Sequence, residues 1–127
     1  MTDQEKRALI DRYLAAYNSF DVDGMLTTLH PAVEFENLAG GEVNASASGA
    51  EAFRRLAEQA TGLFSSRQQT VTAFDPSGAG ASADVDYEGV LASDLPNGMK
   101  EGETLRLAGR SEFEFEDGRI SRIRDIS

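Results

Sequence analysis

The 127-residue chain has no cysteine and a single histidine, and these scarcities remove much of the usual catalytic repertoire. Without thiols there is no disulfide, no thiolate metal site and no cysteine nucleophile. Nothing then calls for an oxidising compartment, so the cytoplasm is the expected location. Basic residues are also few: 12 Lys and Arg stand against 22 Asp and Glu, a formal charge of -10. Such a surface repels phosphate backbones and anionic lipid at long range, which argues against nucleic acid and membrane partners. No apolar run approaches the roughly 20 residues needed to cross a bilayer, and the opening MTDQEKRALI carries charges of both signs where a signal peptide would be apolar. The many carboxylates show no HExxH, EF-hand or paired-histidine spacing, and no Gly-rich phosphate loop or nucleophile elbow is present. No metal, nucleotide, other cofactor or covalent nucleophile is therefore expected.

What is present suits one domain over residues 1–127, long enough to bury roughly two thirds of the surface of its unfolded chain. Thr2 and Glu5 have capping-box spacing, and Leu9, Ile10, Tyr13, Leu14 and Tyr17 follow at helical intervals, predicting a helix over about Asp3 to Ser19. Asp21 caps a second, short helix carrying Val22, Met25, Leu26 and Leu29, which Pro31 is expected to stop at His30. Ala32 to Asn37 alternates as a half-buried strand with Val33, Phe35 and Asn37 on one side. Leu38 to Ala47, rich in Gly, Ala and Ser, reads as a mobile connection with room for a short edge strand. Ser48 with Glu51 forms a second capping box, opening a helix to about Phe64 with Phe53, Leu56, Ala57, Ala60 and Leu63 inward. Four strands follow, Arg67 to Phe74, Ala81 to Ser93, Thr104 to Glu116 and Arg119 to Ile126, joined at Pro76-Ser-Gly, Leu95-Pro-Asn-Gly and Asp117-Gly. Helices first and strands afterwards imply an α+β layer arrangement.

Strand parity then sorts the polar residues. Leu105, Leu107, Gly109, Ser111, Phe113 and Phe115 face one way, while Arg106, Arg110, Glu112, Glu114 and Glu116 face the other and are expected to form cross-strand ion pairs with Arg122 and Arg124. Ser121, Ile123 and Asp125 share a parity, so an inward Ile123 brings Asp125 inward, where a carboxylate needs a partner or a purpose. The plain alternative is a frayed Asp125 or one paired with an arginine. Asn37 either satisfies loop backbone or orients a water or ligand. Tyr13 and Tyr17 on the apolar helix face are packing residues whose hydroxyls reach toward any cavity. His30, at the expected helix end, suits a capping role.

The stretch Arg12-Tyr-Leu-Ala-Ala-Tyr-Asn-Ser-Phe-Asp-Val-Asp-Gly-Met-Leu, then His30-Pro-Ala-Val-Glu-Phe-Glu-Asn, then Asp117-Gly-Arg-Ile-Ser-Arg-Ile-Arg-Asp, resembles the SnoaL-like and nuclear transport factor two-like superfamily over nearly the whole chain. The resemblance implies a cone-shaped α+β barrel with three helices packed on a curved antiparallel sheet. It also implies an apolar pocket for small lipophilic molecules and a homodimer formed through the sheet. Against the ketosteroid isomerase branch, Tyr13 matches the oxyanion-binding tyrosine, but the general-base aspartate falls on Asn37 and the protonated aspartic acid near Ser111. An amide cannot abstract a proton, which argues against that isomerisation. The limonene epoxide hydrolase branch is similar at Asn37, Asp86 and Asp125, with Asp84 in place of the bridging arginine and Phe35 in place of a water-holding tyrosine. That match needs Asp86 inward, whereas Val85, Tyr87 and Leu91 as the apolar set turn Asp84, Asp86 and Glu88 outward; both hold only if the outer face is itself apolar and buried. The pocket expected is lined by Tyr13, Tyr17, Phe35, Asn37, Phe53, Ser111, Phe113 and Asp125. Asp125 or Asp86 would serve as acid or base, Asn37 would place a water or carbonyl, and Tyr13 would donate to an oxyanion. A non-catalytic binding or dimerisation module is the alternative.

Overall fold

The first capping box forms as its spacing implies: Glu5 N–H donates to Thr2 Oγ1 at 3.1 Å, and Thr2 N–H donates to Glu5 Oε1 at 2.9 Å. Behind it the apolar stripe of α1 (Asp3–Asn18) buries Leu9, Ile10, Tyr13 and Leu14. This computed structural model describes all 127 residues. Phe20 leaves the helix with a positive φ of 58°, and Asp21 Oδ1 accepts from Gly24 N–H at 2.9 Å to start α2 (Val22–Thr27).

Pro31 is not what ends α2. The Thr27 and Thr28 hydroxyls donate to the Gly24 and Met25 carbonyls at 2.7 and 2.6 Å, satisfying the last turn early. Strand β1 (Leu29–Ala39) therefore begins before the proline, and His30 is its second residue instead of a helix terminus. Pro31 is tolerated there because the register with the neighbouring strand shifts between Leu29 and Glu34, so its missing N–H leaves no gap in a ladder.

The stretch expected to be a mobile connection is a β-hairpin. Gly40 and Gly41, with φ of 61° and 84°, turn β1 into β2 (Glu42–Ser48). The second capping box does not form. Gly49 N–H donates to Val33 O at 2.7 Å, which holds the chain in the sheet past Ser48, and Ser48 Oγ donates to Glu34 Oε2 at 2.7 Å. Gly49 then caps α3 (Ala50–Thr61) without a side-chain bond, and Phe64 opens a strand in place of closing a helix.

The remaining strands are β3 (Phe64–Asp75), β4 (Gly80–Leu91), β5 (Thr104–Glu116) and β6 (Arg119–Ile126). The sheet has six strands in the order β2-β1-β6-β5-β4-β3, antiparallel except for β1 beside β6, and it stays open without closing into a barrel. The three helices pack on its inner face around a core that includes Ile10, Val33, Phe53, Phe113, Ile120 and Ile123. Ser121 is the extra residue of a bulge, because Phe115 pairs with Ile120 and Glu114 with Arg122. Ile120 and Ile123 thus both reach the core, and Ser121 does not share their role. On the outer face Arg122 bridges Glu36 and Glu114 at 3.1 and 3.4 Å, and Arg124 and Arg110 reach Glu112 at 3.9 and 3.7 Å. These exposed pairs contribute little each. No helix is long and apolar enough to cross a membrane.

Candidate functional site

On the inner face the ladder places Asn37 beside Asp125 on β6, and Asp125 beside Ser111 on β5. Three polar side chains therefore lie in a row across adjacent strands. Ser111 Oγ donates to Asp125 Oδ1 at 2.7 Å, and Asn37 Nδ2 donates to Asn44 Oδ1 at 2.7 Å from the hairpin. The row borders a cavity of about 260 Å³ whose remaining wall includes Tyr17, Phe64, Val85, Tyr87, Leu105 and Leu107. Gly109, also in the wall, has no room for a side chain: a Cβ there would lie 2.6 Å from Ile126 O.

Burial pushes the half-buried Asp125 carboxyl up to about 6, an effect the hydrogen bond from Ser111 only partly offsets. It therefore exchanges its proton near neutrality, the property required of a general acid or base. Burial likewise holds the Tyr13 phenol well above its ordinary range, and the neighbouring Asp125 charge adds to the effect. The Tyr87 phenol is raised by burial and then by the nearby Tyr17. Both phenols keep their protons at neutral pH and can donate hydrogen bonds.

Of the residues singled out in the sequence, Tyr17, Asn37, Ser111 and Asp125 come together around the cavity. Tyr13, Phe35, Phe53 and Phe113 do not line it. They form the packed layer beneath, with Tyr13 and Phe35 set 6.5 and 5.6 Å from the Phe53 ring. Asp86 is elsewhere. It is exposed and lies on the outer face among Gln68, Thr70, Glu88, Arg106 and Ala108. The reason is the strand's own parity: β4 buries Val85 and turns Tyr87 into the cavity, which sends Asp84 and Asp86 to the opposite side. The outer face is charged, so the condition under which Asp86 would turn inward is not met. The two-aspartate arrangement of the epoxide hydrolase resemblance does not assemble around this cavity.

His30 lies near Glu116 and Asp117, with Nε2 3.5 Å from Asp117 Oδ2. Its Nδ1 accepts from Ala32 N–H at 3.0 Å, so in the neutral ring the proton sits on Nε2 and no lone pair faces the carboxylates. Nε2 therefore faces Asp117 as an N–H.

Three contributors went unrecognised in the sequence. Asn44 steadies Asn37, but it sits in a Gly- and Ser-rich stretch with no periodic signal. Phe64 reads in the sequence as a helix end, yet its ring packs 5.8 Å from Tyr87, over Gly89, where a Cβ would lie 2.7 Å from the Phe64 ring. Arg67, where the sequence places only the start of a strand, is four residues into β3 and just 5% exposed.

The chain matches the family model described as the SnoaL-like domain over residues 10–123. No curated protein matches it. Among solved structures it is similar to a candidate polyketide cyclase from Xanthomonas campestris pv. campestris, at 26% identity, a TM-score of 0.82, and coverage of 98% of this chain and 90% of that one. It is similar in fold to an LEH-like epoxide hydrolase from M. tuberculosis, at 18% identity, TM-score 0.77 and coverage of 97% and 82%. A protein of ketosteroid isomerase-like fold from Catenulispora acidiphila DSM 44928, solved in complex with trimethylamine, aligns at 14% identity, TM-score 0.76 and coverage of 92% and 82%. With the open helix-packed sheet and the match over most of its length, the chain belongs to the SnoaL-like family.

Proposed function

We propose that this chain performs cofactor-free acid–base chemistry on a small lipophilic molecule, with Asp125 as the group that takes and returns the proton. The observation that carries this reading is the position of Asp125: a carboxyl raised to about 6 by burial, bordering an aromatic and aliphatic cavity with Asn37 and Ser111 on either side. A carboxylate in such a wall is well matched to removing a proton from carbon next to a carbonyl. The Tyr17 and Tyr87 phenols line the same cavity and suit hydrogen bonding to the enolate oxygen that results. They take the oxyanion role first expected of Tyr13, which lies beneath the cavity. The similarity to a candidate polyketide cyclase favours an enolisable polycyclic ketone over an epoxide, since the second aspartate of an epoxide hydrolase is missing from the cavity.

The test is deuterium uptake at carbon from heavy water, followed by mass spectrometry across a panel of enolisable polycyclic ketones, lactones and epoxides. A bound ketone should exchange with a rate that rises with pH through about 6 and then levels. Asp125→Asn should lower the rate about 10²–10⁴-fold while binding persists. Full exchange by Asp125→Asn would sink the assignment.

A second reading has one observation in its favour: the polar side chains already satisfy each other, Ser111 with Asp125 and Asn37 with Asn44. On that reading the chain is a non-catalytic binding or dimerisation module, and ligands bind without exchange. In either case we place the protein in the cytoplasm as a homodimer through the outer face of the sheet, which no helix covers.

A further inference from the structure

Arg67 is a buried cation that the chemistry above does not use. Its Nε–H donates to Tyr17 O at 2.9 Å, and its guanidinium stacks 3.7 Å from the centre of the Tyr17 ring and 4.6 Å from that of Phe20. The chain has 22 carboxylate residues, yet Arg67 forms no ion pair with any of them, and its buried Nη2 has no hydrogen-bond partner. Aromatic stacking offsets part of the cost of burying a charge, but not that of a missing counter-ion and idle donors. Arg67 does not itself line the cavity but stands behind its wall. Tyr17, whose ring covers the guanidinium, lines it, and so do Phe64 and Gln69, which flank Arg67 on β3. The Arg67 charge also acts on the Tyr87 phenol across the sheet.

We propose that Arg67 is the specificity-determining residue of the cavity, and that the ligand carries an acidic oxygen, a carboxylate or an ionised enol, which docks at the Tyr17–Tyr87 wall and supplies the missing counter-charge. This rests on the cavity being a ligand site, as above, and adds the charge of the ligand. The net charge of -10 repels anions at a distance, so a preference for one must arise from a local cation. Arg67 is the buried candidate, whereas Arg110 at the cavity edge is exposed.

The experiment is isothermal titration of 2-naphthoate and of its neutral methyl ester, matched in ring and size, into the full chain. The carboxylate should bind about tenfold or more tightly than the ester. Arg67→Met, checked for folding by circular dichroism, should abolish that preference. Arg67→Lys should retain part of it, and Arg110→Met should leave it in place. Equal binding of the two probes to the unaltered chain would overturn the inference while leaving the ligand site intact. So would a preference unchanged in Arg67→Met, or one lost in Arg110→Met. If neither probe binds at all, the ligand site itself fails and the inference with it. The comparison on the unaltered chain stands even if Arg67→Met does not fold.

Discussion

Asp125 makes the protein less stable than it would be without a charge there. Burial raises its carboxyl from 3.8 to about 6 in the folded state, so between those values the folded protein holds the proton that the unfolded chain has released. Stability therefore falls as pH rises through that window, and above it the full cost remains, about 1–3 kcal/mol. Asp125→Asn keeps an acceptor for Ser111 and removes the charge. It should raise the thermal midpoint at pH 7.5 and change it little at pH 4, as read by circular dichroism melts at both values. A gain in stability with a loss of turnover is the pattern expected of a group kept for chemistry. Alternation with Ile123 made the inward direction of Asp125 legible in the sequence. The role of Arg67 was not, because a long side chain that folds back under a helix end leaves no period to read.

At the scale of elements, α1 is tied to the edge strand β3. Asn18, at the end of α1, exchanges two hydrogen bonds with Gln69 of β3: Gln69 N–H donates to Asn18 Oδ1 at 2.8 Å, and Asn18 Nδ2 donates to Gln69 O at 3.2 Å. The side chain stands where another strand would pair, so it covers part of an exposed edge and fixes the Tyr17 turn above the cavity. Asn18→Ala should cost about 1–3 kcal/mol in urea denaturation, because both backbone groups of Gln69 lose their partner. Lys6 anchors the other end of the helix through the Gly78 and Gly80 carbonyls at 2.8 and 3.1 Å. Where hydrophobic period was strong, as in α1, β1, β4 and β5, the elements and their faces were readable. The β1–β2 hairpin and the start of α3 were not, since Gly, Ala and Ser carry little pattern and backbone pairing decided them.

For the whole molecule, the α+β order and the helix-packed sheet followed from where the period changes from helical to alternating. The openness of the sheet and the parallel meeting of β1 with β6 are set by pairings between distant segments, which no local signal reveals. The same topology separates the acidic residues into two populations. Asp84, Asp86 and Glu88 lie on the outer face, and Asp125 alone among the Asp and Glu side chains borders the inner cavity. That separation is why one carboxyl, and not a pair, is assigned the proton. The most direct test is a pH titration of the Asp125 side-chain carbonyl by carbon-13 NMR, assigned by comparison with Asp125→Asn. A midpoint near 6 is the result this account predicts, and a midpoint near the ordinary 3.8 would contradict it.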